Sequence, residues 1–499
     1  MILRRAMMND KIVNQSGKNL LLEKCKGSYF NGLSLYGKST QFTTTGAQLL
    51  DLSDQIGRTD TKNGATYKIN VDQSVTVSGK PTKYTSFYLK NMSLKAGTYF
   101  LNNNVQSNIV FVQLIGNGIK TGVFTLDEDL TDISVYIVFN VQENNDKYFD
   151  FTFITMLNKG EEALFYEPYT GGKPSPSIEY PQEIENAGDD GEIDVKITGR
   201  NIAKDMGLRG NINGDESIVI TENGIRNLYV AEVVSGQEIF VKDTEVIGFY
   251  TEYPRNGLKG VTGERIVIDK TKLIVPNGAI YVCVGTVGKK PMITIGQDEP
   301  TSFEPYKEPQ SITLKTPNGL PGIPVSSGGN YIDETGQQWV CDEIDLERGV
   351  YVQRIKRMVF DGTESWAHRT TTTNNNNNFQ IRIKDCPSAI NKKCLCTHLP
   401  YKNVAWDDDP ENLPKIYAND EEITVSFTSE SEFNSLDSWL DFLKKRSPEF
   451  IYILKTPIET PLAPEVIETY RKLHTNNPVT TVLNDAGAYM SVKYRKVRG

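Results

Sequence analysis

Apolar positions along this chain fall in short runs broken by turn residues. Asn108–Gly116 (NIVFVQLIG), Asp132–Val141 (DISVYIVFNV) and Ala279–Val287 (AIYVCVGTV) are rich in β-branched and aromatic residues and bounded by Gly, Asn or Asp. Such runs, with turn signals between them, predict strands. Many short strands without intervening helical patterns predict a mostly β protein of serial β-sandwich (jelly-roll) modules rather than an α/β fold. One segment keeps a helical period. In Ser431–Phe450, residues Phe433, Leu436, Trp439, Leu440 and Leu443 fall on one helical face, with Ser431 or Ser435 as cap and Pro448 beyond the end. A second, weaker helix is expected at Ala463–His474.

The runs repeat as a set. The phrase TTTGAQLLDL (Thr43–Leu52) precedes one group of strands and KITGRNIAKD (Lys196–Asp205) precedes another, with a third relative, QSGKNLLLE, at Gln15–Glu23. LKAGTYFL (Leu94–Leu101) is matched by VVSGQEIFV (Val233–Val241), and ITMLNKGEEALFYEPY (Ile154–Tyr169) by ITIGQDEPTSFEPY (Ile293–Tyr306). Opening, middle and end recur in the same order, which predicts two copies of one domain. After each Glu-Pro-Tyr the chain turns rich in Pro and Gly, as connectors between folded units do. The division expected is an N-terminal attachment segment over 1–45, a jelly-roll module over 46–170, a Pro/Gly linker over 171–195 and a second module over 196–307. A linker with a small hairpin follows over 308–349, then a C-terminal β-sandwich with the inserted helix over 350–499.

Charge and cysteine content narrow the function. With 54 basic and 63 acidic side chains the net charge is −9, and no dense basic stripe exists to neutralise phosphates, so nucleic acid is not an expected partner. The basic tail Val492–Gly499 reads as a solvated end. No run approaches the ~18 apolar residues that cross a bilayer, and MILRRAMM lacks the apolar core of a signal peptide. Of Cys25, Cys283, Cys341, Cys386, Cys394 and Cys396, only Cys394–His398 (CLCTH) is clustered. Its Cys-x-Cys spacing is not that of a zinc knuckle. Reduced thiols are expected, and neither metal nor cofactor.

The phrases TTTGAQLL, LKAGTYFL, FYEPYTGGKPSPSIEYPQEI (Phe165–Ile184), NYIDETGQQWVCDEIDLERGVYVQRI (Asn330–Ile355), MVFDGTESW (Met358–Trp366) and NPVTTVLNDAGAYMSVKY (Asn477–Tyr494) resemble bacteriophage and prophage tail proteins of Gram-positive hosts. The likeness spans roughly Ser16 to Tyr494. In that group, jelly-roll modules similar to carbohydrate-binding modules are strung along baseplate or tail-fibre components. The resemblance implies a structural protein of the virion, made in the bacterial cytoplasm, whose partners are other tail proteins and host cell-surface polysaccharide. It brings no catalytic motif.

The residues themselves argue against catalysis. Three histidines (His368, His398, His474) leave little for acid–base chemistry, and no nucleophile elbow, zinc-protease helix or Walker loop occurs. A glycosidase needs two carboxylates flanking a sugar ring; Asp127 with Asp129, and Asp407 with Asp409, read better as solvated loop acids. Sugars are held by aromatic faces with amide and carboxylate groups on their hydroxyls. The candidates are Tyr84 and Tyr88, with Phe87 read as core, then Trp366 and His368, and Asn376 in the run Asn374–Asn378, taken as an exposed loop. Repeated weak sites on one appendage gain by avidity, and closed symmetry makes a homo-oligomer, a trimer for example, the expected assembly. The readings that compete are a tail attachment component, a tail-associated glycan hydrolase and a purely structural spacer.

Overall fold

In the computed structural model, residues 10–23, 30–103, 109–142, 148–296, 298–370, 375–384, 393–402, 413–419, 422–476 and 478–497 are described. Among them every strand pairing within a sheet is antiparallel, and the α-helices are α1 (Leu436–Arg446) and α2 (Pro464–Lys472). The chain is mostly β, as its apolar runs require. It divides into two compact units. The smaller comprises Phe42–Glu183 with Thr397–Pro400; the larger comprises Met1–Gln41, Ile184–Cys396 and Tyr401–Gly499.

The smaller unit is a sandwich around one core. One four-stranded sheet runs Ile119–Lys120, Val110–Ile115, Leu130–Phe139, Thr85–Leu94, a three-stranded sheet, the second, runs Gly122–Leu126, Gly97–Asn103, Thr155–Lys159, and a further four-stranded sheet runs Phe149–Phe153, Val75–Gly79, Ala65–Ile69, Thr59–Lys62. Alternation buries Phe87, Leu89, Val135 and Ile137 of the first sheet with Tyr99, Leu101 and Leu157 of the second. Within the larger unit the second copy repeats this order. Arg226–Glu232, Tyr281–Thr286 and Val246–Tyr250 are adjacent in one sheet, and Lys270–Ile274, Glu238–Lys242 and Met292–Ile295 form the other. Ala231, Phe249 and Val282 meet Ile239, Val241 and Ile293 in its core.

The recurring phrases have a physical cause. In the smaller unit the Gln48 amide accepts the N–H of Leu50 (3.1 Å) and Leu157 (3.0 Å) and donates to the Thr155 carbonyl (2.8 Å). In the second copy Asn201 accepts the N–H of Ala203 (3.0 Å) and Ile293 (3.1 Å) and donates to the Pro291 carbonyl (3.2 Å). One amide thus stitches the opening segment to the closing strand at the same offsets in both. The Glu of Glu-Pro-Tyr finishes the closure. Glu167 accepts from Thr45 N (2.6 Å), Thr45 Oγ1 (2.9 Å), Ala47 N and Gln48 N (3.2 Å). Where the second copy replaces Ala47 by Arg200, Glu304 pairs with that guanidinium instead, at 2.9 Å. In the third phrase, Asn19 likewise accepts a backbone N–H, from Asn484 at 2.9 Å.

That third phrase opens a further sandwich, woven from distant parts of the larger unit. Its seven-stranded sheet runs Asp10–Gly17, Tyr489–Val497, Gly32–Tyr36, Glu343–Asp345, Val350–Val359, Glu449–Pro461, Cys394–Cys396; its four-stranded sheet runs Leu20–Glu23, Val479–Asn484, Glu192–Thr198, Gln310–Lys315. Leu22, Leu35, Val195, Leu314, Val482 and Val492 share its core with Tyr470 of α2. Residues 10–23 and 30–41 therefore do not stand apart as an attachment segment: Leu20, Leu22, Leu33 and Leu35 of their strands are buried in one core with Val482 and Val492 of the last strands. Parts of both connecting stretches are likewise strands of this body, and Glu192–Thr198 pairs directly with Gln310–Lys315. The second module is thus an insertion between neighbouring strands. Ser39 and Asn186, on either side of the smaller unit in sequence, are joined by a 2.6 Å hydrogen bond.

Val350–Val359 and Glu449–Pro461 are also neighbours, and a lobe is inserted between them. It is a four-stranded sheet (Ala367–Thr370, Asn377–Arg382, Glu422–Phe427, Lys415–Asn419) with α1. Ser435 caps α1 by accepting from Ser438 N, and Ser447 ends it in the left-handed region. Trp439 of α1 stacks on Phe379 at 5.3 Å and on Phe442 at 5.5 Å.

Candidate functional site

The sequence candidates separate cleanly by exposure. Trp366 is 6% exposed and packs edge-on against Trp439 (5.4 Å) and Phe360 (5.1 Å). Its faces are spent on the lobe's aromatic core, so it is not a sugar platform. Asn376 is 5% exposed, and Asn377–Arg382 is a strand with Asn377 and Asn378 buried. Of the described part of the asparagine run, Asn375 is exposed and outside the strand, whereas Asn376–Asn378 are buried and therefore packing, not an exposed loop; Asn374 lies outside the described residues. His368 is half-buried, stacked on Phe379 at 4.9 Å with Nε2 2.9 Å from Asn377 Oδ1. It orders the sheet and does not join Trp366 in a site.

Tyr84 and Tyr88 are placed differently. In Thr85–Leu94 the residues Thr85, Phe87 and Leu89 point inward, and Tyr88 is turned to solvent at 45% exposure, with Tyr84 just ahead of the strand at 52%. Tyr136 on the next strand meets Tyr88 edge-on at 5.7 Å. Asn91 holds the polar border: its Oδ1 accepts from the Tyr88 hydroxyl (3.2 Å) and Ser134 Oγ (2.9 Å), and its Nδ2 donates to Asp132 (3.0 Å). A two-ring aromatic surface edged by amide, carboxylate and hydroxyl groups is the chemistry that packs on sugar C–H faces and satisfies hydroxyls.

A second aromatic surface lies in the larger unit, on the second module, and no sequence pattern singled it out. A cavity of about 220 Å³ is lined by Tyr253, Tyr281 and Tyr306 with Lys196, Lys204, Glu232 and Glu308. Tyr253 and Tyr281 meet edge-on at 5.6 Å, and the Lys204 ammonium sits 5.9 Å from the Tyr306 ring centre. Lys204 is paired with Glu308 at 3.1 Å, and Lys196 with Glu232. Tyr281 lies in the Tyr281–Thr286 strand; Tyr306 is the tyrosine of the second Glu-Pro-Tyr. Burial, then the Glu308 charge, pushes the Tyr306 hydroxyl up to about 12. It is a neutral donor at any physiological pH.

Lys196, Glu232, Tyr281 and Leu483 also line a second, adjoining cavity of about 450 Å³, and the two together are called the groove. This end adds Asp189, Asp190, Asp194 and Asp485 with Val233, Val234 and Ile280. Asp194 N donates to Asp485 Oδ1 at 3.0 Å. Burial, with the Asp194 charge added, raises the Asp485 carboxyl above the usual carboxylate range.

The other chemistry weighed from sequence has this placement. Asp129 pairs with Lys95 at 2.7 Å, while Asp407 and Asp409 lie outside the described residues. Cys283, Cys341, Cys394 and Cys396 are buried and form no disulfide among the described residues; burial pushes Cys283 up to about 12. Among the described residues no cluster of three or more His, Cys, Asp or Glu could hold a metal ion, and no helix is long and apolar enough to cross a membrane. In comparisons with known proteins, no protein family, curated protein or solved structure matches this chain.

Proposed function

We propose that this protein is a non-enzymatic structural component of a phage tail tip, baseplate or fibre, contributing to attachment at host cell-surface glycan. The observation that carries the reading is the repeated sandwich with a solvent-facing tyrosine surface on each copy, bordered by hydrogen-bonding groups. Each surface alone would bind weakly. Two per chain, multiplied by copies in a closed homo-oligomer assembled with other tail proteins, raise effective concentration at a wall that presents many identical sugars.

The test is capture of the assembled protein on purified Gram-positive cell walls. Retention is expected, weakened by Tyr88→Ala or Tyr253→Ala and reduced most by both together. Absence of retention in the intact oligomer would favour a structural spacer, and release of reducing sugar from the wall would establish a hydrolase instead.

A further inference from the structure

We infer that the groove of the second module takes a saccharide carrying a protonated amine, with its ring against Tyr253 and Tyr281 and its ammonium toward Asp194 and Asp485. The inference rests on the glycan-attachment reading and names the ligand class for one of its surfaces. Its basis is the uneven charge across two adjoining cavities that share Tyr281, Lys196 and Glu232. At the tyrosine end both cations are matched, Lys196 by Glu232 and Lys204 by Glu308. At the other end Asp189 is matched by Arg357 at 3.4 Å, but Asp190, Asp194 and Asp485 have no ion-pair partner within 4 Å among the described residues. Asp194 and Asp485 are crowded together through the hydrogen bond from Asp194 N to Asp485 Oδ1, which leaves two neighbouring negative charges in a half-enclosed space.

The volume of about 450 Å³ falls in the range of small-molecule sites (roughly 300–1,000 Å³). A neutral sugar could give its hydroxyls to the aspartates but would leave their neighbouring charges unbalanced, and a phosphate polymer would be repelled. An ammonium supplies three donors and the missing charge. Val233, Val234 and Ile280 supply apolar wall for a ring between the two ends.

The experiment is calorimetric titration of the full chain with β-1,4-linked glucosamine oligomers and with the same oligomers fully N-acetylated, at a pH that keeps the amine protonated. Binding of the free-amine oligomer about tenfold tighter than the acetylated one is expected, from loss of a charge-assisted hydrogen bond. Asp485→Asn, nearly isosteric, should abolish that difference, whereas Glu128→Gln, a solvated acid of the other unit, should leave it intact. This contrast separates groove binding from loose attraction of a polycation to an acidic protein. Equal affinity for both oligomers overturns the ligand class while leaving glycan attachment standing. Failure to bind either, with cell-wall capture retained, overturns it too and leaves the broader reading intact; failure of capture as well removes both.

Discussion

At the scale of single residues, the side chains that shape this protein most are polar and buried. Glu167 is 9% exposed and takes three backbone N–H groups and one hydroxyl of the Thr45–Gln48 segment. Glu167→Ala leaves those donors without their acceptor and should cost about 2–4 kcal/mol. Hydrogen exchange at Ala47 and Gln48 should accelerate first, while Tyr281–Thr286 in the larger unit keeps its protection. Asp342 is 1% exposed and accepts from Arg354 N (2.7 Å), Ile355 N (2.8 Å) and the Tyr351 hydroxyl, where Val350–Val359 shifts register. Burial outweighs these donors and pushes its carboxyl up to about 6. The folded state therefore holds this proton more tightly than the unfolded chain, whose carboxyl titrates near about 3.9. Stability contributed here is full below that value, falls by about 2–3 kcal/mol as pH rises to about 6, and is level above. Asp342→Asn should remove that slope. Urea unfolding followed by tryptophan fluorescence will read it, because Trp339, Trp366 and Trp439 are buried in the larger unit. At this scale the sequence announced that Glu-Pro-Tyr and its opening phrase belonged together, since both recur. It could not announce that Trp366 was committed to Trp439, because an aromatic in a turn-rich stretch reads alike whether it faces a neighbour or water.

At the scale of elements, local grammar was the better guide. The strands Val110–Ile115 and Tyr281–Thr286 fall inside the runs that predicted them, Leu130–Phe139 overlaps the run Asp132–Val141, and α1 and α2 fall where the helical spacing placed them. Of the two serines offered as cap, Ser435 is the one used, through its bonds with Ser438. Ser435→Ala should cost about 1 kcal/mol, read as faster exchange confined to the first turn of α1. Trp439, 1% exposed and touching five aromatic partners, is a different case. Trp439→Ala should cost about 3–5 kcal/mol and open the lobe while the paired strands that flank it stay protected. Asn377–Arg382 escaped the reading because asparagine is depleted in strands; here buried side-chain bonds such as Ser426 Oγ to Asn378 Oδ1 at 2.6 Å sustain it. The Tyr253–Tyr281–Tyr306 groove escaped for another reason: its rings come from three separate elements, and no local window contains them.

At the scale of the whole molecule, the repeated modules were legible and the body that carries the second one was not. Local alternation says that a segment is a strand but never names its partner, and here the partners are hundreds of positions apart: Leu20 pairs with Val482 and Asp10 with Val497. Deleting residues 1–23 strips one strand from each sheet of that sandwich and uncovers Val492 and Val482. The larger unit should then lose cooperative unfolding and become protease-sensitive. The smaller unit, whose core runs from Leu50 to Leu157, should survive as a resistant fragment in the same digest. The pairing of Asp10–Gly17 with Tyr489–Val497 also decides how the protein bears tension. Because Asp10 faces Val497 and Gly17 faces Met490, the first residue of one strand and the last of the other lie side by side at one end of the ladder. A pull that separates them peels the ladder one bond at a time, at low force. A load shared by both strands passes into the sandwich without straining the seam.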